Sequence, residues 1–114
     1  LGYSKINPLK LNKLQLKTLT IFQQLAKAPE TSSRNEKNEV LLTNMPNTHG
    51  NHFQCGDALI LAKDATGLRN QSVWKALERK GLARSMFPFG LTLTEEGERY
   101  LTGLNDKILH RADY

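Results

Sequence analysis

Three side chains that could bind a metal ion or act on a substrate lie close together near the middle of the chain: His49, His52 and Cys55. Imidazole and thiol groups separated by two residues are typical zinc ligands, and Asp57 or His110 could supply a fourth. Structural zinc motifs, however, usually supply two ligand pairs at a set separation, and this sequence supplies one cluster. The pattern therefore favours a turn with incidental histidines and a buried cysteine, and a metal site at His49, His52 and Cys55 is the alternative.

Catalytic motifs are not recognisable in the sequence. Cys55 beside His52 could suggest a thiol nucleophile, but no third orienting group or oxyanion motif accompanies the pair. There is no glycine-rich phosphate loop and no hydrolase elbow. Glu95, Glu96 and Glu98 match the negative charge that favours the first turn of a helix, which explains them better than acid-base chemistry does. We therefore predict a protein without enzymatic activity and without a cofactor.

The most informative polar surface belongs to a predicted helix over residues 70–80. At about 100° per residue, Val73 and Leu77 point to one side of this helix, and Gln71 and Lys75 point nearly opposite. A glutamine can hydrogen-bond adenine with two bonds, and a lysine can reach guanine or a phosphate. The helix therefore has one side suited to a protein core and one side suited to the major groove of DNA.

Further polar side chains extend this outer side. Asn70 and Ser72, near the helix start, can hydrogen-bond phosphate together with free backbone N–H groups. Arg69 and Arg84 would follow the DNA backbone, and Arg79 lies one helical turn beyond Lys75. An ordinary solvated surface is the alternative interpretation of the same residues. The predicted DNA-binding residues are Arg69, Asn70, Gln71, Ser72, Lys75, Arg79 and Arg84.

The distribution of charge favours a polyanionic partner. The chain of 114 residues has a formal net charge of +5. Residues 1–28 carry five lysines and no acid, and residues 68–84 carry five basic residues and one acid. The segments after each of these are net acidic. Two basic patches separated by acidic segments are typical of a surface that faces a nucleic acid more than of evenly spread solubilising charge.

The elements that would position these residues follow from periodicity and from capping residues. Residues 9–28 are predicted as a leading helix that Pro29 ends, and residues 29–39 as a polar loop. A short strand within 39–44 and a return strand within 51–55 are expected around a turn. The remaining predictions are a helix-turn-helix over 57–80, with Asp57 and Asn70 as N-caps, a wing over 82–93 and a C-terminal helix over 94–110.

This order of elements predicts one α+β domain over residues 1–114, mainly helical: a winged helix-turn-helix with a short two-stranded wing and flanking N- and C-terminal helices. The longest strictly apolar run is five residues, whereas a membrane span needs about 20, so none is expected. Cys55 is the only cysteine, which fits a reducing cytoplasmic location. The leading helix is apolar over most of its girth and needs cover on several sides.

Residues 72–82 (SVWKALERKGL), followed by LTLTEEG over 91–97 and by Tyr100-Leu101, resemble the winged-helix regulators of the MarR/PadR type. In those families the recognition helix ends in Leu-Glu-x-x-Gly-Leu, and the last wing strand continues into Leu-Thr-x-x-Gly. The resemblance covers residues 58–101 and extends loosely to 11–28. It implies that Gln71, Ser72, Lys75 and Arg79 face the major groove of double-stranded DNA. It also implies a homodimer through the terminal helices, here residues 9–28 and 98–110, and a transcriptional regulator whose small-molecule effector is unknown.

A second function is kept because this sequence departs from the family at the wing. Its tip is Phe87-Pro-Phe-Gly90, short and apolar where a longer basic wing is expected. Phe87, Phe89 and Trp74 could form an apolar contact patch. Trp74 could instead pack in the core, which is the favoured interpretation of a tryptophan at this position. The alternative function is therefore a winged-helix protein-protein interaction module without DNA binding.

Overall fold

The computed structural model describes residues 5–46 and 50–111, which form helices and two antiparallel sheets. The helices are α1 (Lys13–Leu25), α2 (Gln71–Arg79), α3 (Glu95–Arg99) and α4 (Asn105–Ile108), with 3-10 turns at Ala62–Asp64 and Thr66–Arg69. The strands are β1 (Ser32–Arg34), β2 (Val40–Leu42), β3 (His52–Cys55), β4 (Ala58–Leu61), β5 (Ala83–Met86), β6 (Gly90–Leu93) and β7 (His110–Arg111). None of the described helices is long and apolar enough to cross a membrane.

The prediction of a mainly helical domain with a two-stranded wing is wrong. The hairpin β5–β6 forms as predicted, but β6 also pairs with β2, and β2 pairs with β1, so the sheet order is β1-β2-β6-β5. A second sheet contains β3, β4 and β7. The described residues therefore form a compact α+β domain in which two antiparallel sheets carry much of the structure.

The predicted first helix of the helix-turn-helix, within residues 57–80, is replaced by β4 and the two 3-10 turns. Residues 58–61 alternate between buried and half-buried positions, which is the period of a strand and not of a helix. Gly56 adopts φ +60 and, with Asp57, turns the chain between Cys55 and Ala58, which pair across the hairpin. Glycine at the first central position favours a two-residue hairpin turn, so Asp57 belongs to that turn and is not an N-cap.

Two further predictions upstream are also corrected. The strand expected within 39–44 is β2, but its partners are β1 and β6, and β3 pairs with β4 instead of returning to β2. Within the polar loop predicted over 29–39, residues 32–34 form the edge strand β1. β1 has no buried side chain, and for this reason the hydrophobic pattern could not reveal it.

The predicted helix over 94–110 is broken into α3 and α4. Thr94 does cap α3, because its hydroxyl accepts a hydrogen bond from the Gly97 N–H. Tyr100 then leaves the helical conformation, and its hydroxyl donates to Asn7 Oδ1 at 2.6 Å. The Thr20 hydroxyl, on α1, donates to the Thr102 hydroxyl at 2.7 Å. These contacts to distant segments hold residues 100–104 out of the helical conformation, so α3 and α4 do not join into a continuous helix.

The leading helix is shorter than predicted, 13–25 instead of 9–28, and its second half is buried. Asn12 and Gln15 form a reciprocal capping box at its start. Every residue from Thr18 to Leu25 is buried within the single chain. The cover that its apolar girth requires is therefore supplied by the protein's own sheets and helices, and this part of the predicted dimer surface is not available to a second subunit.

Candidate nucleic-acid interface

Helix α2 has the boundaries that its local sequence dictates. Asn70 is the N-cap, and its side chain accepts a hydrogen bond from the Ser72 N–H at 3.0 Å. At the other end Lys80 is the C-cap, and Gly81 follows with φ +78, a conformation that glycine adopts without steric cost. The prediction of this helix is confirmed.

The inner side of α2 fixes the helix to the core. Val73, Ala76 and Leu77 are buried, as predicted from the helical wheel. Trp74 is 1% exposed, and its ring packs edge-on against Phe22 of α1 and Phe87 of the β5–β6 hairpin. Its indole N–H donates to the Leu68 carbonyl at 3.2 Å, so the polar atom of this large side chain is also satisfied. Core packing of Trp74 is confirmed, and exposure of its ring is excluded.

The outer side of α2 carries the predicted groove-facing residues together. Gln71, Ser72, Lys75 and Arg79 are all exposed. At 1.5 Å per residue, the eight steps from Gln71 to Arg79 cover about 12 Å along the axis, close to the width of the major groove. No ion pair involves Lys75 or Arg79 within residues 5–46 and 50–111. Glu78 is exposed on the same side and is the one acidic residue of the helix.

The remaining three predicted residues are placed differently. Asn70 is half-buried and occupied as the helix cap. Arg69 is exposed at the end of the second 3-10 turn and donates a long hydrogen bond of 3.5 Å to the Pro46 carbonyl. Arg84, on β5, is engaged in a two-bond ion pair with Glu39, at 2.7 and 2.5 Å. The structure therefore groups four of the seven predicted residues on one exposed surface and gives the other three structural contacts.

The Glu39–Arg84 pair has a clear electrostatic effect on both partners. The hydrogen bonds from Arg84, followed by one from Asn35, lower the pKa of Glu39 to about 2. The carboxylate in turn raises the pKa of Arg84. A second pair joins Arg34 to Glu98 at 2.8 Å and lowers the pKa of that carboxyl. Both arginines of this sheet are thus neutralised locally. Sequence reasoning missed these pairs because their partners lie 45 and 64 positions apart.

The alternative interpretation of His49, His52 and Cys55 as a metal site receives no support from the described residues. His49 lies outside them, and within them no group of three metal-binding side chains comes together. His52 and Cys55 sit on opposite faces of β3, one exposed and one buried. Burial is also the main cause that raises the pKa of Cys55 to about 11. Because the thiolate is the nucleophilic form of cysteine, this thiol is poorly suited to nucleophilic chemistry.

The hairpin tip beside α2 is apolar and partly exposed. Phe89 is 81% exposed and Met86 is 49% exposed. Phe87 is half-buried against Trp74, so it does not stand free with them. Of the predicted apolar patch of Phe87, Phe89 and Trp74, Phe89 alone is exposed, and Met86, which was not predicted, is exposed near it.

Comparison with family models, with curated proteins and with solved structures finds no match to this chain. The resemblance to the MarR/PadR regulators stays a prediction.

Proposed function

We propose that this protein is a binding protein for double-stranded DNA and acts as a transcriptional regulator, with the outer side of α2 in the major groove. One observation carries the proposal: Gln71, Ser72, Lys75 and Arg79 are exposed together on a rigid helix whose opposite side is anchored in the core. A helix fixed in this way can present base-reading side chains without first being ordered by the DNA.

Each side chain has a role that its chemistry allows. Gln71 would read an adenine edge, and Lys75 and Arg79 would contact guanine or phosphate. The Ser72 hydroxyl would contact a backbone phosphate, since the Ser72 N–H already donates to the Asn70 side chain. Glu78 would accept a hydrogen bond from a cytosine amino group, since a carboxylate facing phosphate would oppose binding.

A cytoplasmic homodimer is part of the proposal. Two copies of α2 would have to lie about 34 Å apart to reach successive turns of the duplex. Because residues 18–25 are buried within one chain, the dimer would use surfaces other than that half of α1. The length of DNA protected from nuclease digestion checks this part separately, since a monomer protects a single half-site.

The central experiment measures binding to random duplex DNA as a function of salt. Phosphate contacts release counterions, so the logarithm of the binding constant should fall with the logarithm of salt by about 0.9 per contact. Replacing Lys75 and Arg79 by glutamine should weaken binding and reduce that slope by about two. Absence of binding by the unaltered protein at low salt would refute the proposal.

A matched control is the double variant Lys27→Gln, Lys37→Gln. It removes the same charge from two exposed positions outside α2. The slope should then change much less than in the α2 variant. Equal losses in both variants would mean that total charge, and not α2, controls binding.

Sequence preference tests the groove assignment directly. Gln71→Ala removes one proposed base contact, and each lost bidentate contact should cost about 1–3 kcal/mol of discrimination at one position. Selection of bound sequences from a random library should show a relaxed preference there, with the helical circular dichroism spectrum unchanged. An identical preference in the variant would contradict this assignment.

The exposed side chains of Phe89 and Met86 favour one alternative, a protein contact at the hairpin tip. The double variant Phe89→Ser, Met86→Ser distinguishes the two functions. DNA binding by α2 should survive these substitutions, because neither residue lies on the helix.

A further inference from the structure

A cleft of about 300 Å³ opens beside the N-terminal half of α1, between that helix, the first 3-10 turn and α4. Four lysines from these three elements line it: Lys13, Lys17, Lys63 and Lys107. The site is separate from the proposed DNA-binding surface, because no lining residue belongs to α2 or to the β5–β6 hairpin. We call it the lysine cleft.

The lysine cleft has an excess of positive charge that the described residues do not balance. Asp64 is the single acidic residue among those that line it, and it forms an ion pair with Lys17 at 2.8 Å. Lys13, Lys63 and Lys107 are exposed and form no ion pair in the described ranges. Three like charges facing one space repel one another, and an anion in that space would remove the repulsion.

The walls between these lysines are apolar. Leu61, Leu104 and Ile108 line the cleft, and the last two are buried or nearly so. His110 also lines it, and its Nε2 atom is buried without a hydrogen-bond partner among the described residues. Most buried polar atoms in proteins have a partner, so this imidazole is available to a polar group of a ligand. An apolar wall with a few convergent polar groups is the usual construction of a small-molecule site.

We propose that the lysine cleft binds a small organic phosphate, with the phosphate among Lys13, Lys63 and Lys107 and a compact apolar body against Leu104 and Ile108. The cations are all lysines, compact charges that suit a phosphate, whereas a planar carboxylate is better matched by the two-pronged arginine side chain. An excess of three charges also suits a dianion better than a monoanion. The volume is at the lower end of small-molecule sites, which limits the body to about one ring.

The test uses phenyl phosphate as the probe. Its binding to the full chain is measured by isothermal titration calorimetry. Phenyl phosphate should bind with one site per chain. Inorganic phosphate, which lacks the apolar body, and phenylacetate, which carries one charge, should each bind at least about tenfold more weakly. No binding of phenyl phosphate, or equal binding of phenylacetate, would overturn the proposal.

The double variant Lys63→Gln, Lys107→Gln should weaken phenyl phosphate binding about tenfold or more, because two charge-assisted contacts are removed. Both side chains are exposed, so the fold should persist. The control variant Lys27→Gln, Lys37→Gln should bind as the unaltered protein does, and equal weakening in both would overturn the assignment. The proposal does not rest on DNA binding. If the cleft variant lost DNA affinity and kept phenyl phosphate binding, the cleft would be part of a DNA surface and the proposal would be wrong.

Discussion

Helices α1 and α2 are the two longest helices in the described part of the chain, and they meet solvent in opposite ways. The second half of α1 is buried on every side, polar residues such as Thr20 and Gln23 included. In α2 the buried residues form one side, and the residues of the other side are exposed. The polar groups of α1 are satisfied inside the protein: Gln23 donates to the Gly97 and Tyr100 carbonyls.

The contrast shows how the two helices divide their tasks. α1 packs against α2, α3 and both 3-10 turns, so the sequence of its buried second half is constrained on all sides. The outer side of α2 carries exposed polar side chains that are not needed for packing. Such a side on a rigid element can take a binding function. Both helices carry lysines. Lys17 of α1 pairs with Asp64, whereas within the described residues Lys13 of α1 and Lys75 of α2 form no ion pair.

The largest expected effect compares the two helices by truncation. Phe22 of α1 is fully buried and touches Trp74, so Phe22→Ala should lower the free energy of unfolding by about 3–5 kcal/mol. Gln71→Ala on the exposed side of α2 should change it by no more than about 0.5 kcal/mol. Urea unfolding followed by circular dichroism measures both. A similar cost for the two variants would break the comparison.

An intermediate effect compares the N-caps of the two helices. Asn12 caps α1 and Asn70 caps α2, each through its side-chain oxygen. Replacing either by alanine should cost about 1 kcal/mol of stability, measured in the same urea experiment. DNA affinity should fall in Asn70→Ala, which alters the start of α2, and stay unchanged in Asn12→Ala. If both caps affected DNA binding equally, α2 would have no special role in it.

The smallest effect concerns the ion pair between Arg84, on β5 after α2, and Glu39, just before β2. The pKa of Glu39 is about 2 in the folded protein and should be near its ordinary value of 4.5 in the unfolded chain. The pair therefore stabilises the fold fully above pH 4.5, and the contribution is lost as the pH falls towards 2. Glu39→Gln should reduce the loss of stability on acidification, seen as a smaller shift of the urea midpoint. The control is Glu36→Gln, which removes an exposed acid from the same segment between β1 and β2.

The parts of the molecule that could be predicted from sequence are those that local residues determine. Asn70 and Gly81 mark the two ends of α2, and the spacing of Val73, Leu77 and Ala76 fixes which side is buried. The β5–β6 hairpin and the Thr94 cap are equally local. As a result, the exposure of Gln71, Ser72, Lys75 and Arg79 on one surface followed from the sequence.

The parts that could not be predicted depend on contacts between distant residues. The apolar run 58–61 is too short for its period to distinguish a helix from a strand, and pairing with β3 decides the outcome. Tyr100 is drawn out of the predicted C-terminal helix by Asn7, 93 positions away. Two further features depend on the tertiary fold: the ion pair of Arg84 with Glu39, and the approach of Lys13, Lys63 and Lys107 to one cleft. They could not be predicted, because the predicted fold was mainly helical and wrong.

The position of Trp74 has a practical consequence, since it is the only tryptophan in the chain. Its indole lies where α1, α2 and the β5–β6 hairpin meet. When the indole is excited selectively, the intrinsic fluorescence of the protein therefore reports on that junction alone. A red shift of the emission shows that water has reached the buried side of the helix proposed to read DNA.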